Sequence, residues 1–106
     1  METKDWNAWI DRMPPKPDDF HVTGFVYVAN PGVSAVLKPH EPQGINPAIL
    51  LLDLTLDQQP GVWPDVMTWV EARYDQVVDP ESEEYTKVEI LDDGESIAEI
   101  EVSEVH

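Results

Sequence analysis

From Phe20 to the end of the chain, apolar residues recur at every second position, and this period confines most of the molecule to extended strands. Side chains of a strand alternate between two faces, whereas a helical face needs a repeat near 3.6. Phe20, Val22, Val26 and Val28 alternate with His21, Thr23, Phe25 and Tyr27, marking one strand with a more apolar face. Leu50, Leu52, Leu54 and Leu56 alternate with Leu51, Asp53, Thr55 and Asp57. Ile49 and Leu51 place the first half of that strand between two apolar layers.

The ten prolines fall between these segments and act as punctuation, because proline lacks the N–H that a helix or a sheet ladder needs. Asn30-Pro31-Gly32-Val33 has the order of a type II turn, with glycine accepting a positive φ at its third position. The turn predicts a hairpin of residues 20–29 and 33–38, with Val28 beside Ala35 and Val26 beside Leu37. Residues 39–47 carry three prolines and a glycine and read as a loop. Residues 66–78 match both periods. Val, Thr, Trp and Tyr favour a strand there, with Trp69 on its less apolar side, and a helix is the alternative. The last two strands, about 85–91 and 95–103, flank Asp92-Asp93-Gly94. A three-residue loop there sets Val88 opposite Ala98 and Lys87 opposite Glu99.

Residues 3–13 are the exception to the period of two. Thr3 is a suitable N-cap, and Trp6, Trp9, Ile10 and Met13 share one helical face before Pro14, Pro15 and Pro17. The expected architecture is therefore mainly β, an antiparallel β-sandwich or open barrel of about six strands with a short N-terminal helix. If residues 66–78 are helical, the class becomes α+β. One domain, 1–106, is expected, with the helix and a Pro-rich linker in 1–17 and a β-rich body in 18–106.

Composition narrows the function classes. Asp and Glu number 22 against 6 Lys and Arg, a formal net charge of −16. Such a surface repels nucleic-acid phosphates and anionic lipids, so neither is an expected partner. A basic protein is the partner that the charge would suit, although the same charge also serves solubility. The absence of cysteine excludes disulfides and thiolate metal sites. No basic segment followed by an apolar run opens the chain, and the longest apolar run, 48–52, is too short to span a bilayer, so a cytoplasmic location is expected.

No motif for catalysis or for a cofactor is legible. Ser34, Ser82, Ser96 and Ser103 lie in no nucleophile elbow, and His21, His40 and His106 are scattered. The acidic groups Asp79, Glu81, Glu83, Glu84 and Asp92-Asp93-Gly94-Glu95 lack the spacing of a calcium loop. Asp53 is the best single carboxylate for an enzymatic reading, because it interrupts an apolar strand. Gly24 within a strand marks a bulge or a close backbone approach. The aromatic residues are the stronger lead. Trp63, Trp69, Phe25 and Tyr27 are candidate ligand-binding residues, and Trp6 and Trp9 are candidate partner contacts. The first reading is a non-enzymatic protein-interaction module. A carbohydrate or small-ligand domain using exposed aromatics is the second, and an enzyme with an unrecognised carboxylate site the third.

Overall fold

The computed structural model describes residues 1–12, 17–78 and 84–105. All regular structure among them is strand: β1 (Thr3–Asp11), β2 (Asp18–Val28), β3 (Val33–Pro39), β4 (Ile49–Gln58), β5 (Thr68–Val78), β6 (Lys87–Asp92) and β7 (Glu95–Val105). They form one sheet in the order β3-β4-β6-β7-β1-β2-β5. Its edge strands, β3 and β5, lie side by side without pairing, so the sheet curls into a nearly closed barrel. The mainly-β expectation holds, and residues 68–78 are strand.

Several finer expectations are corrected. Residues 3–11 form β1, not a helix, and with β1 the strand count is seven rather than about six. A helix of this length is marginal by itself. In the barrel the same residues gain hydrogen-bonding neighbours on both sides, β2 antiparallel and β7 parallel. β1 thus belongs to the same sheet as the strands from residue 18 onward. Met13 to Lys16 lie outside the described residues. The sheet is also mixed: β1 runs parallel to β7 and β4 parallel to β6, so an all-antiparallel order does not hold.

The hairpin of residues 20–29 and 33–38 does not form. The turn itself closes, Val33 N–H donating to Asn30 O at 3.3 Å, but the two strands diverge. β2 pairs along its whole length with β5, from Asp18 beside Val78 to Val28 beside Thr68. β3 pairs with β4, which sets Ala35 opposite Leu56 and Leu37 opposite Leu54. An eleven-residue strand finds more backbone partners in β5 than seven-residue β3 offers. Gly32 is required for a different reason than the type II turn implied, since its φ is not positive. A Cβ there would meet the Trp63 ring at 2.3 Å.

The β6–β7 loop has two residues, not three. Asp93 (φ 50°) and Gly94 (φ 83°) both take the left-handed conformation of a type I′ turn. Continued without interruption, that register would place Val88 opposite Glu99. A register shift after Ile90 restores the apolar match, Ile90 facing Ala98 and Val88 facing Ile100. Lys87 consequently sits opposite Glu101, and its ammonium reaches diagonally to Glu99 at 3.1 Å.

The barrel interior holds Ile10, Phe20, Val22, Val26, Leu52, Val88 and Ile90, all 0–2% exposed. Fully burying an aliphatic or Phe side chain stabilises by roughly 1.5–3 kcal/mol, so this layer dominates the favourable side of folding. Trp6 joins it through a bulge in β1. Lys4 faces Phe25 and Asn7 faces Thr23, so Asp5 and Trp6 together oppose Gly24. Asp5 adopts φ 54°, the left-handed bulge position. The extra residue switches the alternation, leaving Lys4 outside while Trp6 turns inward over Gly24. A Cβ on Gly24 would lie 2.2 Å from Trp6 Cε3.

All odd-numbered strands run one way and all even-numbered strands the other. One barrel end therefore collects the connections 29–32, 59–67 and 93–94, and the opposite end holds Arg12, the connection 40–48 and residues 84–86. We refer to these as the open end and the clasped end.

Candidate binding surface

At the open end the β4–β5 connection is tied onto the β2–β3 turn by side-chain amides. Asn30 and Gln58 exchange two hydrogen bonds, at 2.8 and 3.1 Å. Gln59 N–H donates to Gly32 O at 2.8 Å, and Gln59 Nε2 donates to Ser34 Oγ at 2.9 Å. Trp63 lies on Gly32 and donates from Nε1 to Gln59 O at 3.1 Å. These bonds fix the loop without burying it. Val62, Trp63, Val66 and Met67 stay exposed, and Met1 and Leu56 beside them are also exposed.

A groove of about 360 Å³ opens here, floored by Tyr27, Val28, Ala29, Val33 and Leu56 with Met1 and Gln58 at its margin. A second groove, of about 390 Å³, shares Met1 and Leu56 with the first and ends on Asp92 and Asp93. The combined depression passes from an apolar floor to a pair of carboxylates. Among the described residues no ion pair reaches either aspartate.

The outer face of β1, β2 and β5 carries the aromatic residues singled out from the sequence. Tyr27 and Trp69 are paired across β2 and β5, their ring centroids 4.8 Å apart and tilted by 37°. The Lys4 ammonium lies 4.3 Å from the centre of the Trp69 ring. Phe25 is half-buried on the same face between Lys4 and Glu71. Of the four candidate ligand residues, Phe25, Tyr27 and Trp69 thus share one surface, while Trp63 sits over Gly32. Tyr27 belongs to both the outer face and the groove. The two candidate partner contacts separate. Trp6 points inward, and its Nε1 is the one buried side-chain polar atom among the described residues without a hydrogen-bond partner. Trp9 points outward and packs at 5.2 Å on His21.

Two histidine–aspartate pairs are present. His21 Nδ1 lies 2.5 Å from Asp75, whose carboxylate also accepts from Arg73 Nε at 3.0 Å. The hydrogen bond with His21, then that with Arg73, holds the Asp75 carboxyl below the usual range. Asp53, the candidate carboxylate, is part-exposed and lies 2.9 Å from His40 Nδ1. Neither pair lines the grooves of the open end. The 39–47 loop is organised by Gln43, which exchanges hydrogen bonds of 2.9 Å with the backbone of Leu51.

The clasped end centres on Arg12, whose guanidinium meets Asp18 at 3.0 Å, Glu84 at 2.5 Å and Glu104 at 3.0 Å. Desolvation lowers its pKa, but the hydrogen bonds to Glu104 and Glu84 outweigh that and raise it. Among the described residues Asp18 is the one buried charged residue, 2% exposed. Of the acidic run at 79–84, Glu84 alone is among the described residues; Ser82 and His106 also fall outside them. Among the described residues no three His, Asp or Glu side chains converge as metal ligands, and no helix is long and apolar enough to cross a membrane.

Comparison with protein families, curated proteins and solved structures finds no match to this chain. The class that fold and surface define is a small, acidic, seven-stranded β-barrel with an apolar open end. Met1, Val33, Leu56 and Asp92 escaped the sequence-based reading of the site. Period-two alternation places Leu56 with the core leucines, and it cannot show that β4 runs past the core at that point. Val66, at the start of the segment read as strand from 66, is exposed because it precedes β5.

Proposed function

We propose that this chain is a non-enzymatic interaction module that binds a basic protein partner. The observation that carries the reading is the gathering of exposed apolar side chains at one end of a strongly acidic barrel. Among the described residues, six of the nine exposed large apolar ones, Met1, Leu56, Val62, Trp63, Val66 and Met67, belong to the open end. Contiguous exposed apolar surface rimmed by polar groups marks interaction sites more often than scattered apolar residues do. The charge of −16 selects the partner's sign, because complementary potentials steer encounter and like charges repel. Both histidine–aspartate pairs lie away from that end, which favours binding over catalysis as its role.

Calorimetric titration with a set of small basic proteins, in low salt and in about 0.5 M salt, tests the reading. Screening at that ionic strength shortens the Debye length to about 4 Å, so an interaction of this kind should weaken by roughly tenfold or more. If none of the basic proteins binds even in low salt, the reading fails.

A further inference from the structure

We propose that the open-end groove takes a short segment of a basic partner in which an apolar side chain is followed directly by lysine or arginine. This rests on the reading above and adds the place of binding and the chemistry of the occupant. The apolar part of the groove, Tyr27, Val28, Val33 and Leu56, accepts one aliphatic or aromatic side chain. The adjoining part, reached across Leu56, ends on Asp92 and Asp93.

Charge decides what kind of occupant fits. Among the described cations, Arg12, Arg73 and Lys87 are engaged with carboxylates, Lys4 lies over Trp69, and neither Lys38 nor the α-ammonium of Met1, a residue of the same groove, forms an ion pair with Asp92 or Asp93. No such group of the chain reaches Asp92 or Asp93, so a cation there is supplied by the occupant. A second copy of this chain is a poor candidate, because two molecules of charge −16 repel. Lysine and arginine suit the junction between the two parts. Their aliphatic stems lie along apolar surface while the charged head reaches a polar rim. A purely cationic segment would leave the floor uncovered, and a purely apolar one would leave two carboxylates desolvated beside it.

The test uses the isotopically labelled full chain and a capped peptide with Leu-Lys-Lys at its centre. Control peptides replace the leucine, or both lysines, with serine. Amide shifts of the wild-type chain should concentrate in residues 27–33, 54–58 and 92–94. Either replacement in the peptide should weaken binding at least about threefold. The double variant Asp92→Asn, Asp93→Asn should weaken the Leu-Lys-Lys peptide by about tenfold, the sum of two rim ion pairs. Asparagine accepts the left-handed φ at position 93, so the turn survives. If the peptide binds but the shifts lie elsewhere and the double variant binds equally well, the groove is overturned while the basic-partner reading stands. If basic proteins bind and the peptide does not, the segment is overturned as occupant. Failure of both probes in low salt overturns the groove together with the reading beneath it.

Discussion

At the clasped end one guanidinium is held among Asp18, Glu84 and Glu104, whereas at the open end Asp92 and Asp93 form no ion pair among the described residues and apolar side chains face solvent. The first arrangement uses one of only six basic residues to neutralise carboxylates brought together by the ends of β1, β2 and β7. The second leaves both apolar area and negative charge unmatched. Among the described cations, Arg12 is the one placed against a buried carboxylate, whereas Arg73 and Lys87 pair with exposed ones. A surface left unmatched is therefore available for binding. The same contrast appears in the two glycine–tryptophan contacts. Trp6 over Gly24 is partly buried and packs against the core, while Trp63 over Gly32 is 41% exposed.

The largest expected effect is at Gly24. In Gly24→Ala the new methyl meets an indole that the barrel confines, and overpacking of this kind should cost about 3 kcal/mol in urea unfolding. A loss below about 1 kcal/mol would mean that Trp6 is free to withdraw, and the enclosed contact would then resemble the exposed one. Next in size is Arg12→Met, which strips the buried Asp18 of its guanidinium. The expected loss is smaller than that at Gly24, because Arg12 itself is partly exposed. Adding Asp18→Asn should recover part of that loss. No recovery would show that the clasp acts through Glu84 and Glu104 on the surface.

Gly32→Ala sharpens the contrast from the other side. Trp63 is part-exposed and tethered by one hydrogen bond, to Gln59 O, so it should yield to the added methyl at a cost of about 1 kcal/mol, with tryptophan emission shifting to longer wavelength. A loss as large as that at Gly24 would show the open end to be as tightly built as the interior. The smallest effect concerns Asp75, which lies at neither end. Its folded pKa is depressed, so its contribution is present above the unfolded value of about 3.9 and is lost as pH falls through the folded one. The carboxylate is half exposed, so solvent screening leaves only about 0.3 kcal/mol. Asp75→Asn should therefore be slightly less stable than wild type near pH 7 and indistinguishable from it at pH 2–3. A gap that persists at that pH would assign the effect to lost hydrogen bonds alone.

Strand content was legible from residue 20 onward because a half-buried strand writes its two faces into the chain at a period of two. Val22, Val26, Val28, Leu37, Leu50, Leu52, Leu54, Val88, Ile90 and Ile100 were all readable as core and are buried. Part of the aromatic surface was readable on the same basis, since Phe25, Tyr27 and Trp69 fall on the more polar side of their strands. Pairing was not legible. Local alternation says which residues share a face but not which strand lies beside it. Val28 therefore found Thr68, forty residues away, in place of Ala35 across the turn.

The sequence by itself determined the extended conformation, the inward and outward faces, the places where strands stop and the acidity of the surface. Each of these depends on a residue and its near neighbours. Tertiary structure alone decided that residues 3–11 are a strand, because their backbone groups are satisfied by β2 and β7 rather than by one another. It likewise decided that a bulge at Asp5 sends Trp6 inward, and that a register shift after Ile90 reconciles a two-residue turn with an apolar face. The open end arose in the same way. Met1, Tyr27, Val33, Leu56 and Asp92 come from four separate strands and the chain's first residue, and only the curl of the sheet brings them to one rim.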